Sequence, residues 1–508
     1  MEKENNSKEE KTKCNENEHK PPKGSIQEHK MMFSQNQEIS YKSHAEWIVL
    51  RKDEKPKAEM FHVAYLKEKT EIKERPLTFI FNGGPGAASA YLHLGAIGPK
   101  KVVFDEKGTV PKPPAKLATN KESWLEFSDL VFVDPIGTGF SRTIDEDKAK
   151  NSKDKQKKDN GKKAENKEYY QVDRDLESLG EFIKRFLSKH NRWESPIFVA
   201  GESYGGFRAA CMAKRLQEKT GIGLSGTIII SPALEFSLLD PSNYDILSWV
   251  DLFPTMSAAA HVHGKSKKFK SKTEIEKVIK SAEDFATSKF SKYLIMGDSL
   301  PDKEKKEILK EISEYLGLSE VYVENCQGRI PFWMFSKKLL KDEKMVCGFY
   351  DASIKGIDPF PGSETPSGPD PSFTGLDRLF TAGINAYLRT YLKVETERDY
   401  LLLSYKVNQS WKKEKKHFFQ KQIGATDELR YGMALNPYMK VFISHGIFDM
   451  VTPYFSSKRL SNHLKLTETQ KENLFMKNFK GGHMFYSWDE SRKQFREQMT
   501  EFYKKATD

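Results

Sequence analysis

Pro196-Ile197-Phe198-Val199-Ala200-Gly201-Glu202-Ser203-Tyr204-Gly205-Gly206 joins a continuously apolar run to a glycine-flanked serine and then to small residues. The apolar run reads as a strand buried on both faces. Ala209, Ala210, Met212 and Leu216 follow at helical spacing, so a helix starts just after the serine. Gly201-Glu202-Ser203-Tyr204-Gly205 fits G-x-S-x-G, and strand–turn–helix is the setting in which that pattern exposes a nucleophilic hydroxyl. Glycine is needed at both flanks because a Cβ there would meet neighbouring backbone. The amino end of the helix favours negative charge developing beside the serine. A plain tight turn would show the same five letters, so the weight of the reading comes from what surrounds it.

Outward from this point the alternation continues. Leu77-Thr78-Phe79-Ile80-Phe81, Leu130-Val131-Phe132-Val133 and Thr227-Ile228-Ile229-Ile230 read as further buried strands. Val172, Leu176, Leu179, Phe182, Ile183, Phe186 and Leu187 repeat at three- and four-residue steps, an amphipathic helix between the second and third strands of the series. Such β-α-β order predicts an α/β fold with a mostly parallel sheet and right-handed crossovers. The alternation stops after Ser231-Pro232. It returns with Val441-Phe442-Ile443, Leu474-Phe475-Met476 and a closing helix carrying Phe495, Met499, Phe502 and Tyr503. The expected layout is a disordered charged tail at 1–35 and a first core part at 36–235, which carries a Lys-rich disordered insertion at 143–168. A large, mainly helical cap insertion follows at 236–432, and the second core part is 433–508. Within the cap, Ser299 and Pro301 open a helix, and 356–371 is a Pro/Gly/Asp-rich loop.

The 508 residues carry a net charge of +11 with 37% hydrophobic and 31% charged residues, which excludes a bundle of membrane spans and a collagen-like chain. Residues 1–30 hold seven Lys against seven Asp+Glu, and 143–168 hold nine Lys against seven acids, so neither segment accounts for the excess. Only 263–272 (HGKSKKFKSK) concentrates positive charge, and no nucleic-acid-binding signature accompanies it, so no nucleic-acid partner is expected. The longest stretch without Asp, Glu, Lys or Arg, 76–99, contains Asn82, a Gly-Gly-Pro-Gly run and His93, and no membrane span is expected. The amino end has no apolar h-region. Cys14, Cys211, Cys326 and Cys347 lack metal-site spacing and the density of a disulfide framework. A cytoplasmic protein is the expectation, with export by another route and a Cys326–Cys347 pair left open. Oligomeric state is not legible.

A serine hydroxyl needs a base, and the base an orienting group. Val441-Phe442-Ile443 runs into Ser444-His445-Gly446-Ile447-Phe448-Asp449, and the next strand into Lys480-Gly481-Gly482-His483. Asp449 then His483 is the acid-before-base order that follows a G-x-S-x-G serine. His445 is a rival base. An oxyanion needs two backbone N–H donors, one from the residue after the nucleophile, Tyr204, and one from an early loop, here Asn82-Gly83-Gly84-Pro85-Gly86. That loop lacks the ending and spacing of a phosphate-binding P-loop. No metal or organic cofactor is required by this chemistry.

Asn82-Gly83-Gly84-Pro85-Gly86, Gly201-Glu202-Ser203-Tyr204-Gly205-Gly206 and Gly481-Gly482-His483-Met484 resemble three signature segments of the serine carboxypeptidase family, within the α/β-hydrolase superfamily. Asp134-Pro135-Ile136-Gly137-Thr138-Gly139-Phe140-Ser141 resembles a fourth, and Gly446-Ile447-Phe448-Asp449-Met450-Val451-Thr452-Pro453 resembles the family's acid loop. The look is closer to bacterial members than to secreted, disulfide-rich eukaryotic ones.

The resemblance implies a catalytic triad of Ser203, Asp449 and His483, with Gly84 and Tyr204 donating backbone N–H groups to the oxyanion. It implies that Asn82, Gly83 and Glu202 hold the terminal carboxylate of a peptide substrate. An ionised Glu202 would repel that carboxylate, so the two must share a proton, and activity should favour acidic pH. The implied activity is release of C-terminal amino acids through an acyl-enzyme. An acyltransferase or esterase would use the same triad, and a non-catalytic binding protein is a further alternative. The chain departs from the family in reading Ala87-Ala88-Ser89 where Cys-Ser-Ser or Ser-Ser-Ser is common, in Gly205-Gly206 at the elbow, and in a weakly matching cap.

Overall fold

The computed structural model describes residues 19–33, 38–105, 108–144, 168–239, 241–411 and 423–508. In chain order the strands are β1 (Ser25–Met32), β2 (Glu38–Lys52), β3 (Lys55–Lys67), β4 (Leu77–Phe81), β5 (Lys100–Val102), β6 (Leu117–Thr119), β7 (Asp129–Val133), β8 (Arg142–Thr143), β9 (Ile197–Glu202), β10 (Gly226–Ile230), β11 (Met345–Cys347), β12 (Lys355–Ile357), β13 (Lys440–Gly446) and β14 (Leu474–Phe479). The main sheet runs β1-β2-β3-β7-β4-β9-β10-β13-β14, with β8 also on β3. From β7 to β14 every pairing is parallel, whereas β1, β2, β3 and β7 pair antiparallel.

The apolar strands are two-faced, which is why they read as unbroken hydrophobic runs. Leu77, Phe79 and Phe81 of β4 and Ile197 and Val199 of β9 pack with Leu179, Phe182, Ile183 and Phe186 of the Val172–Lys189 helix. Ile80, Phe198, Ala200, Ile228 and Ile230 face the other side, against Phe495, Met499, Phe502 and Tyr503 of the Asp489–Thr507 helix. Each such buried side chain contributes roughly 1.5–3 kcal/mol relative to exposure. The result is an α/β core, a mostly parallel sheet with helices on both faces.

Two boundaries differ from expectation. Residues 25–32 are not tail: they form β1, an edge strand in register with β2 from Ser25↔Ala45 to Met32↔Glu38, and Met31 and Phe33 are buried. Its exposed positions are Ile26, Glu28, Lys30 and Met32, and the charges of Glu28 and Lys30 blunt the open edge. The segment 236–432 is not all cap. One cluster, built on Trp249, Phe253, Phe285, Ile312 and Phe335, forms the helical cap proper, but Leu376, Phe380, Leu388 and Leu402 pack into the sheet-face cluster. The Thr426–Leu435 helix lies on the Tyr204–Arg215 helix, with Gln217 Nε2 donating to Gly432 O at 3.1 Å. Residues 1–18 of the expected tail and 145–167 of the Lys-rich insertion lie outside the described residues. Cys326 and Cys347 are free thiols and do not pair with each other. In the basic stretch, Lys265 and Lys268 are paired with Glu343 and Glu311. No helix among the described residues is long and apolar enough to cross a membrane.

Candidate active site

The registers align the strand ends that carry chemistry. Phe81 pairs with Gly201, Glu202 with Ile230, Ile230 with Ser444, and Gly446 with Phe479. The loops after β4, β9, β13 and β14 therefore open at one edge of the sheet, the carboxyl side where α/β folds collect ligands. Ser203 sits between β9 and the Tyr204–Arg215 helix at φ +61 and ψ −122, a backbone region rare for a residue with a side chain. The turn has no room for larger flanks: a Cβ on Gly201 would fall 1.9 Å from Gly205 O, and one on Gly205 would fall 2.4 Å from Phe81 O.

Asp449 and His483, from separate strands, meet at 2.7 Å between Oδ2 and Nδ1. Asp449 Oδ1 accepts from Val451 N and Thr452 N, both at 2.9 Å, so the carboxylate is held from below by its own turn. The Thr452 hydroxyl lies 2.6 Å from Asp449 Oδ2, 3.1 Å from His483 Nδ1 and 3.0 Å from Ser231 O. His483 N donates to Tyr350 O at 2.5 Å, Ser231 Oγ donates to His483 O at 2.8 Å, and the Tyr350 ring stands edge-on to the imidazole at 5.3 Å. Burial pulls the His483 ring toward neutrality, but the charge and hydrogen bond of Asp449 outweigh it and the pKa is raised. With Nδ1 turned to Asp449, Nε2 is the nitrogen left for a proton transfer. No hydrogen bond joins Ser203 Oγ to the ring among the described residues, yet both line one cleft of about 100 Å³. Catalytic hydrogen bonds of this kind often close only with substrate in place.

The same cleft is lined by Asn82, Gly83, Gly84 and Glu202, with Tyr91, Tyr350, Phe373 and Leu403 as its walls. Gly83 lies hard against the elbow, since a Cβ there would fall 2.6 Å from Tyr204 N and 2.7 Å from Glu202 O. Gly84 N and Tyr204 N donate to no protein acceptor among the described residues. Asn82 Nδ2 donates to Glu202 Oε2 at 2.5 Å while Asn82 Oδ1 accepts from Leu92 N at 2.9 Å. Glu202 is 3% exposed; burial pushes its pKa up to about 7 against the opposing pull of His483, Tyr486 and Asn82. Glu202 Oε1 and the Tyr486 hydroxyl are both buried and interact with one another without ideal hydrogen-bond geometry. Beneath the loop, Arg208 donates to Asn82 O at 2.7 Å and to both oxygens of Asp175.

Of the eight residues singled out in the sequence, Asp449 lies behind His483 and Tyr204 follows Ser203 with its backbone N against Gly83, while the other six line this cleft. The rival base does not: His445 Nε2 is 2.8 Å from Ser457 Oγ, Nδ1 is 3.2 Å from Thr452 O, and burial pushes its pKa down to about 4. Sequence reasoning passed over Thr452, Tyr486, Tyr350 and the Arg208–Asp175 pair. Thr452 lies three residues past Asp449 and Tyr486 three past His483, inside or beside segments already singled out, so their proximity was available. Nothing in the sequence placed Tyr350 or Asp175.

Among curated proteins, the chain is 28% identical over 194 residues to serine carboxypeptidase-like 5 of Arabidopsis thaliana, 36% of this chain and 39% of that protein. It is 30% identical over 183 residues to a pheromone-processing carboxypeptidase of Yarrowia lipolytica, 34% of this chain and 23% of that one. The matched stretches thus span well under half the length of these relatives. Among solved structures, a proline iminopeptidase of Mycobacterium smegmatis superposes with a TM-score of 0.37 at 10% identity, covering 91% of this chain and 98% of the other. The family described as serine carboxypeptidase matches residues 34–497, most of the chain, from β2 through β14. The chain belongs to the serine carboxypeptidase family.

Proposed function

We propose that the chain is a serine-type carboxypeptidase, releasing the last residue of peptides that carry a free C-terminal carboxylate. His483 Nε2 takes the Ser203 proton, Ser203 Oγ attacks the last peptide carbonyl, and Gly84 N and Tyr204 N receive the oxyanion. His483 then protonates the departing amino group, the C–N bond breaks, and a water activated by the same ring hydrolyses the acyl-enzyme. Asp449 holds the ring in the tautomer with Nδ1 protonated, and Thr452 braces Asp449.

The observation that carries the exopeptidase reading is the buried Asn82–Glu202 pair in the serine's own cleft. A carboxyl held at about 7 is protonated in mildly acidic solution and can donate to a substrate carboxylate, while its ionised form would repel one. A general esterase has no use for this arrangement. The test compares a peptide with its C-terminal amide. Loss of one residue from the free acid, with the amide cut at least about a hundredfold more slowly, supports the reading; equal cleavage of both overturns it.

A further inference from the structure

On the sheet face covered by the Val172–Lys189 helix, away from the Ser203 cleft, polar atoms converge without partners. Glu46 of β2 and His62 of β3 are register partners. His62 is fully buried, its ring edge-on to Phe182 and Phe186 at 5.1 and 5.4 Å. His190 caps the carboxyl end of the helix and stacks on Phe186 at 4.3 Å. Glu46 Oε1 lies 3.8 Å from His62 Nε2 and 3.3 Å from His190 Nε2, but neither contact has hydrogen-bond geometry. Glu46 Oε1, both ring nitrogens of His62 and His190 Nε2 are all buried and unpartnered.

Buried polar atoms in folded proteins are nearly always satisfied, and each orphan costs about 1–3 kcal/mol. Three of these orphans, Glu46 Oε1, His62 Nε2 and His190 Nε2, face one another and call for an occupant. We propose that Glu46, His62 and His190 bind a borderline divalent transition ion, Zn2+ foremost. One ligand atom from each residue already lies within 4.8 Å of the others. A tetrahedral zinc site with bonds of about 2.0–2.1 Å has edges near 3.3 Å, so one pair is at that spacing and the rest must contract. Glu46 and His190, at 16% and 9% side-chain exposure, have the freedom to move toward His62, which the two phenylalanines fix. Two imidazoles with one carboxylate favour zinc, copper or nickel and disfavour calcium and magnesium, which take oxygen. His44, on the same strand two residues before Glu46 and edge-on to His190 at 5.1 Å, or a water fills the fourth position. Lys189 Nζ holds the other oxygen of Glu46 at 2.7 Å; its side chain is 44% exposed and can swing away. The ion would tie β2, β3 and the helix end together, a structural role independent of the peptidase chemistry.

The test strips the 508-residue chain with a chelator, then titrates Zn2+, with Mg2+ and Ca2+ as comparators, while following metal stoichiometry by native mass spectrometry and thermal unfolding. The expected result is one Zn2+ per chain with a raised Tm, no response to Mg2+ or Ca2+, and visible d–d absorption of a four-coordinate ion when Co2+ replaces Zn2+. Glu46→Gln and His190→Ala, both at partly exposed positions that tolerate change, should each weaken binding at least about tenfold and leave peptide hydrolysis unchanged. Lys189→Met should tighten it. No retained zinc in the wild type, or equal zinc retention in wild type and both variants, overturns the proposal. Retention lost on His483→Ala instead would move the ion to the active-site cleft and overturn it equally.

Discussion

Replacing Glu202 by Gln removes one proton-binding site and little else. Asn82 Nδ2, now 2.5 Å from Glu202 Oε2, can donate to the Gln oxygen, which turns Nε2 toward the space beside the Tyr486 hydroxyl. Burial raises Glu202 from 4.5 to about 7 in the folded chain. A folded pKa above the unfolded one means that folding favours the protonated form. Its contribution is fully present below about pH 4.5 and is lost as pH rises through about 7. At 1.36 kcal/mol per unit, the shift costs the wild type about 3 kcal/mol in alkaline solution. Gln carries no such cost, so urea unfolding should show the variant gaining on the wild type by up to about 3 kcal/mol between about pH 4.5 and 8. In the same range, wild-type kcat/KM on a free-acid peptide should fall about tenfold per unit above about pH 7 as the ionised fraction of Glu202 grows. That alkaline limb should be absent from Glu202→Gln, while the acid limb set by His483 stays in both. A variant whose stability tracks the wild type across the range, or whose alkaline limb keeps its midpoint, would refute the protonated-carboxyl argument.

Other substitutions probe the supports of the cleft. Thr452→Val removes the hydroxyl that bridges Asp449, His483 and Ser231; kcat should fall with KM within about twofold, and Tm should drop by the equivalent of about 1–3 kcal/mol. Gly83→Ala drives a Cβ against Tyr204 N and Glu202 O, both backbone, so steady-state kinetics should show loss of kcat at a stability cost of about 1–3 kcal/mol. Asp175→Asn leaves Arg208 buried without its counter-charge, and denaturant melts should show about 3–5 kcal/mol of destabilisation, together with a raised KM as the Asn82 loop loosens.

The parallel half of the sheet was legible because its inner strands β4, β7, β9 and β10 are short and buried on both faces, and β7 and β9 lead into helices of clear period. Tyr204–Arg215 and Val172–Lys189 needed no tertiary information. The antiparallel half was not. β2 mixes a polar-rich first half with a continuous Trp47-Ile48-Val49-Leu50 run, so it shows no single period, and it turns into β3 through Asp53 and Glu54, both at positive φ, with neither glycine nor asparagine to mark the hairpin. β1 is charged enough to read as tail, and only its pairing with β2 orders it. The site loops announced themselves through glycines that the backbone spacing demands. The walls did not: Tyr350 and Phe373 arrive from a segment with no local signature, and Phe373 stacks on Tyr350 at 4.6 Å only because the chain returns from the cap. The Glu46–His62 juxtaposition is likewise a product of strand register, invisible without it.

The central claim is that Ser203 carries an acyl group from which one residue has been removed. Rapid quench in acid after mixing with a slow free-acid peptide, followed by digestion and mass mapping, reads this directly. The account predicts an adduct on Ser203 with the mass of the peptide less its last residue, present in wild type, accumulating in proportion to the released amino acid, and missing from Ser203→Ala. An adduct on another residue, or released amino acid from Ser203→Ala at the wild-type rate, would contradict it.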